Sequence, residues 1–404
     1  MSIKKNVPEI RFKKFILDWQ NKEIGNILAE IKRPVKLLDS EIYQLVTVKR
    51  RNEGIVPRSM LKGKNILVKN YYGIKAGDYL ISKRQVVHGA NGVVPEGLDN
   101  AVVSNEYLVV TDSDEITAKF WSVISKRPEM YKLFFISSYG VDIEKLVFDI
   151  SDWKKRAITV PDVAEQNAIT DYFQKLDVLI NQHQQKHNKL SNLKKAMLEK
   201  MFPKQGETIP EIRFKGFSGE WEEKELSELT DYANGKGHED KQKTSGKYEL
   251  INLNSISVGG GLKPSGKFID ETNNTLEKND LVMVLSDVGH GDLLGRTALI
   301  PKSNAYVLNQ RVALLRPYRN VCPLFLLYNI NAHQTYFKKQ GAGMSQLNIS
   351  RGSVESFYSC IPEQEEQTAI GNYFQKLDIL INQHQQQITK LNNIKQACLS
   401  KMFV

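Results

Sequence analysis

Apolar residues follow two different periods along this chain, and the change of period divides it. Over 163–202 they recur at heptad spacing, with Ile169, Leu176, Leu190 and Met197 on one line and Tyr172, Leu179 and Leu193 on the next. Over 364–403 the same lines hold Ile370, Leu377, Leu391 and Cys398, with Tyr373, Leu380 and Ile394 beside them. No proline or glycine interrupts the first stretch, and only Gly371 interrupts the second. Pro161 and Pro362 stand just ahead, where a missing N–H costs nothing. The acids Asp162, Glu165, Glu363, Glu365 and Glu366 follow and complement a helix N-terminus. The pattern predicts two helices of about five heptads, each roughly 55–60 Å long. His183 and Lys186, and His384 and Gln387, interrupt the seam at its middle, where polar groups fix register at a cost in stability. The seam suits antiparallel pairing of the two helices. Packing of each helix on its own domain is the alternative.

The remaining stretches carry short strand-like runs instead. Tyr43-Gln44-Leu45-Val46-Thr47-Val48, Tyr79-Leu80-Ile81-Ser82 and Leu281-Val282-Met283-Val284-Leu285 are separated by turn signals such as Asn52-Glu53-Gly54, Asn91-Gly92 and Gly259-Gly260-Gly261. An α+β class follows, with two β-rich globular domains and two long helices.

The chain also repeats itself. Val7-Pro8-Glu9-Ile10-Arg11-Phe12-Lys13 returns as Ile209-Pro210-Glu211-Ile212-Arg213-Phe214-Lys215, and Trp19 and Trp221 sit at matching places. Residues 160–202 and 361–403 align without a gap and are identical at 27 of 43 positions. Two copies this long are a tandem duplication rather than a solenoid. The boundaries are a domain over 1–158, a helix over 159–203, a second domain over 204–358 and a second helix over 359–404. Between the copies little is shared beyond Ser104-Asn105-Glu106-Tyr107-Leu108 against Leu308-Asn309-Gln310-Arg311-Val312, and a later glycine, Gly140 or Gly341. A shared frame with different contents suits two readers tuned to two targets, joined by an internal pseudo-two-fold repeat.

Charge changes the picture next. Lysine and arginine exceed acids by 56 to 46, for a net charge of +10 and a pI near 9.2, which leans toward a polyanionic partner. Residues 45–90 hold ten Lys/Arg against two acids. Lys49, Arg50, Arg51, Arg58, Lys62, Lys64, Lys69, Lys83 and Arg84 lie there, interleaved with Tyr71, Tyr72 and His88, as a surface for phosphates and base edges. The second domain is more balanced, with twelve basic residues and nine acids over 236–320. Its candidates are Lys236, His238, Lys241, Lys243, Lys247, Arg296, Asn309, Gln310, Arg311 and Gln346. For any one of these a solvated surface charge is the competing explanation. The cluster is the stronger claim.

Composition excludes several classes. At 404 residues, 41% hydrophobic and 25% charged, the chain is large enough for several domains and ordinary in balance. No run of 18 apolar residues suggests a membrane span, and no apolar stretch after Met1 suggests a secretory signal. Cys322, Cys360 and Cys398 form neither a disulfide framework nor a zinc pair, so a reducing cytoplasm is expected. There is no phosphate-binding Gly-x-x-x-x-Gly-Lys loop and no Pro-Pro pair for the tetrapeptide of amino-methyltransferases. A Pro210-Glu211…Glu222-x-Lys224 nuclease pattern has no counterpart in the first copy, and His183 and His187 lose their second member at Ile388. No catalytic, cofactor or metal residue is expected in this chain.

These features together resemble the specificity subunits of type I restriction–modification systems. Pro161…Glu165-Gln166…Ile169 and Pro362…Glu366-Gln367…Ile370 look like the family's Pro-x-x-x-Glu-Gln-x-x-Ile helix start, followed by Leu-Asp-x-Leu-Ile at 176–180 and 377–381. Gly77-Asp78-Tyr79-Leu80-Ile81-Ser82 is similar to the family's Gly-Asp-x-Leu-Ile/Phe-Ser, while Asn279-Asp280-Leu281-Val282 loses the glycine. Gly341-Ala342-Gly343-Met344-Ser345-Gln346-Leu347-Asn348 looks like the loop closing a target recognition domain. The resemblance covers essentially the whole chain. It implies that each recognition domain reads one half of a bipartite, asymmetric double-stranded DNA site. The paired helices, at Ile169, Tyr172, Leu176, Leu179, Leu190, Leu193 and their copies, would set the spacing and dock two modification subunits. It implies S-adenosylmethionine in those partners, ATP and Mg²⁺ in two restriction subunits, and no membrane. A complete methyltransferase or nuclease would need a cofactor motif. A free-standing regulator would usually bring a helix-turn-helix and a palindromic site.

Overall fold

Both long helices form, Val163–Lys200 and Gln364–Lys401, each of 38 residues. The computed structural model describes residues 6–404 apart from 68–69, 205, 289 and 344–345. Among the described residues no helix is long and apolar enough to cross a membrane.

The chain folds into two compact units that do not follow its linear order. Residues 1–183 join 387–404 in one, and 184–386 make the other. Each long helix is therefore shared between units. In the first unit the end of the second helix runs antiparallel to the start of the first, and Lys395 donates to Asp177. Phe403 then closes the core against Trp19, Phe120 and Phe173, with ring centroids 5.9, 6.1 and 6.2 Å away. The second unit repeats the plan with the other helix ends. Lys194 donates to Asp378, and Phe202 packs on Phe325, Phe374 and Trp221 at 5.6, 5.9 and 6.5 Å.

The Pro-x-x-x-Glu-Gln motif has a physical reading in these units. Glu165 and Glu366 are each 1% exposed. Burying a carboxylate costs several kcal/mol unless geometry is good, and here it is bidentate. Arg11 Nε and Nη2 donate to Glu165 at 2.7 and 2.6 Å, and Arg213 donates to Glu366 at 2.6 and 2.6 Å. Those bonds hold both guanidiniums above their ordinary pKa. Beside them the Gln166 side chain accepts from Thr117 N (3.0 Å) and donates to Pro161 O (3.0 Å). Gln367 does the same with Cys322 N and Pro362 O, both at 2.9 Å. Arginine, glutamate and glutamine thus lock the helix start to the loop before it.

Buried positions on the first helix, Glu165, Gln166, Ile169, Thr170, Phe173 and Leu176, form one inward face whose second line runs through Phe173 rather than Tyr172. This corrects the heptad assignment. Leu179 and Leu193, assigned to the seam, are 43% and 38% exposed, whereas Phe173 and Phe374 are 3% and 0% exposed. The line through Tyr172, Leu179 and Leu193 lies one residue, about 100° of helix turn, from the line through Phe173. Ile169, Leu176, Ile370 and Leu377 are buried. Tyr172, Leu391 and Ile394 pack against the first core, Leu190 and Tyr373 against the second, and Leu380 is half-buried.

Sheets surround these cores. In the first unit a five-stranded sheet runs Pro34–Val35, Tyr71–Gly73, Val102–Ser104, Ile42–Val48, Ile55–Lys62, with Leu45 facing Val102 in parallel. A four-stranded antiparallel sheet runs Ala29–Glu30, Tyr107–Thr111, Tyr79–Ser82, Asn91–Val93. The second unit has the counterpart order Thr230–Asn234, Val312–Pro317, Leu281–Val284, Thr297–Leu299. The Gly-Asp motif starts a central strand in both. Gly77 has φ +90° and Asn279 φ +75°, so the second copy's departure from glycine keeps the left-handed turn with the residue best able to adopt it. Asp78 and Asp280 are buried, accept from Lys75 N and Glu277 N (both 2.7 Å), and receive bidentate bonds from Arg33 (2.6 and 3.0 Å) and Arg316 (2.8 and 2.8 Å).

Candidate nucleic-acid interface

The antiparallel strands Ile42–Val48 and Ile55–Lys62 are joined by a turn that carries Lys49, Arg50 and Arg51. Arg51 and Asn52 lie in the left-handed region, at φ +59° and +56°. Their amides bond to His88 O (2.7 Å) and Gly89 O (2.8 Å), which fixes the turn against the short helical turn Val86–His88. Arg50, Arg51 and His88 therefore line one cavity of about 670 Å³. Lys49 flanks it, 3.9 Å from Glu53.

A second depression, about 260 Å³, gathers Arg58, Tyr71 and Arg84 with Tyr107. Arg84 is paired with Glu106 at 2.9 Å, and Lys83 Nζ donates to Asn105 O at 2.6 Å. Burial pushes the Tyr107 phenol up. Tyr72 leaves the group. Side chains alternate along a strand, and Tyr72 turns to the apolar cluster of Val46, Ile74 and Leu80. Lys62 and Lys64 are exposed and line neither depression, and Lys69 lies outside the described residues.

In the second unit Lys236 is bridged to Asn309, an approach that only glycine at 235 permits. A Cβ there would sit 1.8 Å from the Asn309 carbonyl oxygen. His238 leads the helical turn Glu239–Lys241, and Glu239 accepts from the Gln310 amide. Arg311, at φ +67°, follows Gln310 in the turn before the strand Val312–Pro317 and remains exposed. So Lys236, His238, Lys241, Gln310 and Arg311 belong to one surface. Lys243 is held by Asp270 at 2.6 Å, and Lys247 lies 4.9 Å from the Tyr248 ring centroid. Arg296 stands apart, half-buried beside a depression of about 380 Å³, and burial lowers its pKa. Gln346 also stands apart, donating to the buried Ser286 hydroxyl. The loop assigned to 341–348 includes Met344 and Ser345, which lie outside the described residues.

Sequence reasoning missed the cations that helices bring to these depressions. Lys126 and Arg127, with Tyr131, complete the large cavity of the first unit. Lys338 and Lys339 complete the one beside Arg296. Their only sequence signal is a Lys-Arg-Pro or Lys-Lys pair at a helix end, outside the basic window. Among the described residues no cluster of three His, Cys, Asp or Glu side chains could hold a metal.

Known proteins resemble this chain in sequence and in fold. Residues 218–393 match the family described as type I restriction modification DNA specificity domain. A curated relative, the type I restriction enzyme MjaVIII specificity subunit of Methanocaldococcus jannaschii, is 20% identical over 96% of this chain and 92% of its own. The crystal structure of a type I restriction–modification S subunit from M. genitalium covers 98% of this chain and 99% of its own, at 16% identity and a TM-score of 0.62. A chain from a study of complex assembly and conformational transition of the type I R-M system covers 95% and 97%, at 16% identity and a TM-score of 0.50.

Proposed function

We propose, from the premise that this chain belongs to the DNA specificity subunits of type I restriction–modification systems, that it reads a bipartite, asymmetric DNA site with one half-site per globular domain. The subunit family itself is non-catalytic. One observation carries the two-half reading. The scaffold contacts are duplicated residue for residue, as in Arg11–Glu165 and Arg213–Glu366, while the cationic surfaces differ. The first domain offers Arg50, Arg51, Arg58 and Arg84. The second offers Lys236, His238, Gln310 and Arg311 around an amide-rich turn. Equal surfaces would read a palindrome, and different ones read two sequences.

The remaining parts of the reading follow from the family. The paired helices set the gap between half-sites and dock two modification subunits, which bring S-adenosylmethionine and methylate adenine. Two restriction subunits, using ATP and Mg²⁺, join the same assembly. The complex works on DNA in the cytoplasm. The test is co-expression with a cognate modification subunit, followed by mapping of methylated adenines in host DNA. A single motif with two different halves is the expected result. A palindromic motif, or no new methylation from a complex shown to assemble, overturns the reading.

A further inference from the structure

The large cavity of the first unit gathers several cationic side chains around one acidic one. Its walls are the turn over 49–54, the helical turn Val86–His88 and the start of the helix Pro128–Ile136. Arg50, Arg51, His88 and Arg127 line it against one carboxylate, Glu144. Arg50 Nη2 donates to Glu144 Oε2 at 2.8 Å, and His88 Nε2 stands 3.6 Å from Oε1. Arg51 forms no ion pair or side-chain hydrogen bond among the described residues, although its backbone is pinned in a left-handed conformation. Such a conformation persists where the surroundings over-determine it, often beside a ligand. Arg127 Nε is buried without a partner, while its Nη2 lies 3.1 Å from Glu129. Glu144 lies in the short helical turn Ile143–Lys145, where Asp142 accepts from its amide at 3.1 Å, while its side chain is half exposed beside the exposed Val141 and Ile143.

We propose that this cavity seats a phosphodiester of the target DNA and that Glu144 occupies the seat in the free protein. This deepens the DNA-reading function proposed above and rests on it. Two carboxylate oxygens between an arginine and a histidine stand where two phosphate oxygens would. The exchange is favourable because the exposed Arg50–Glu144 pair is weak, whereas a phosphate also engages the unpaired Arg51 and releases counterions. Glu144 opposes binding to every duplex equally. It therefore restrains sequence-independent affinity and leaves discrimination to base contacts.

The experiment measures binding of a mixed-sequence duplex to the full chain across salt concentrations. Glu144→Gln is expected to tighten binding about two- to fivefold at low salt, the size of an exposed ion pair, with the gain fading as salt rises. Arg51→Ala is expected to weaken binding and reduce the salt slope by about one. Glu53→Gln removes the same charge from the adjoining turn and should gain less. A Glu144→Gln chain that binds no better than the unmodified one, or no better than Glu53→Gln, overturns the proposal. So does inorganic phosphate that displaces duplex from the unmodified chain better than chloride at equal ionic strength, which would mark a free-phosphate site. An unmodified chain that binds no duplex fails the DNA reading itself. Binding that is indifferent to Glu144 and Arg51 fails only the cavity.

Discussion

Lys194 of the first long helix donates its ammonium proton to Asp378 of the second, and 201 positions further on Lys395 returns the bond to Asp177. One pair lies in each compact unit. The same lysine–aspartate contact thus forms in each unit, with the two helices exchanging donor and acceptor roles. The two pairs have different neighbours. Asp378 also accepts from Tyr328 Oη (2.8 Å), and burial together with that carboxylate raises the phenol's pKa. Near Asp177 stands Lys126, whose pKa burial lowers first and the Lys395 ammonium lowers further.

That difference makes a prediction. Asp177→Ala removes the acid that opposes the Lys395 charge on Lys126 and leaves two ammoniums near each other. A loss of about 1–2 kcal/mol is expected, with part recovered by adding Lys126→Met. The pH dependence has a definite sign. Because the folded pKa of Lys126 lies below its unfolded value, the unfolded chain binds more protons between the two. The Lys126 contribution to stability therefore rises with pH through that alkaline window. The rise should be absent from Lys126→Met, so the difference in urea midpoint between the unmodified chain and that variant should itself grow with pH.

Arg11 and Glu165 give a larger effect. Glu165→Ala strands a guanidinium that is 11% exposed, and Arg11→Ala strands a carboxylate that is 1% exposed. Either change should cost about 3–5 kcal/mol. Replacing both with methionine should cost far less, because no unpaired charge remains. Denaturant midpoints of the two single variants and the double variant check this, and equal losses in all three would contradict it.

Gly371→Ala tests a close approach. Alanine is favoured over glycine in a helix interior by about 1 kcal/mol. Here a Cβ would stand 2.8 Å from Leu324 Cβ and 3.0 Å from Phe325 N, so the helix Pro323–Ala332 must move. Overpacking of this kind costs about 1–3 kcal/mol, so the net effect should be destabilising. A raised melting temperature for Gly371→Ala would show that the neighbouring helix yields freely.

Much of this architecture was legible because duplication exposes what a fold cannot change. The matching Arg-Phe-Lys segments, the Glu-Gln helix starts and the Met201-Phe202 and Met402-Phe403 pairs mark residues that meet at the core of each unit. What could not be read was which partner each residue finds at long range. Asp78 and Asp280 share a motif, but their arginines come from different places, Arg33 before the strand and Arg316 well after it. Heptad counting placed its second line through Tyr172, Leu179 and Leu193, one position before the buried Phe173, because spacing alone does not say which neighbouring line faces the core. The helix starts instead bury a broad face in a globular core. The basic window likewise found the hairpin turn but not Arg127, which reaches the same cavity from a helix 76 positions beyond Arg51.

Arg50 and Arg51 are adjacent in sequence and unequal in state. Arg50 is already paired with Glu144, so its charge is partly neutralised in the free protein. Among the described residues Arg51 has no ion pair or side-chain hydrogen bond to lose. Arg51→Ala should therefore weaken duplex binding more than Arg50→Ala, and the double variant should weaken it further. Anisotropy titrations at several salt concentrations measure this. Equal affinity of the double variant and the unmodified chain at all salts would remove the turn from the DNA footprint.

The helices offer the final test, of spacing rather than affinity. Removing one heptad from within 179–186 and one from within 380–387 deletes residues that are mostly exposed and polar. Seven residues make nearly two full turns, so the remaining seam positions stay within about 20° of their former directions. The rise lost is about 10.5 Å, close to three base pairs at about 3.4 Å each. If the helices set the gap, methylation mapping should return the same two half-sites separated by about three fewer base pairs. Altered half-sites would mean that the helices shape the reading surfaces, and an unchanged gap would mean that they are not a ruler.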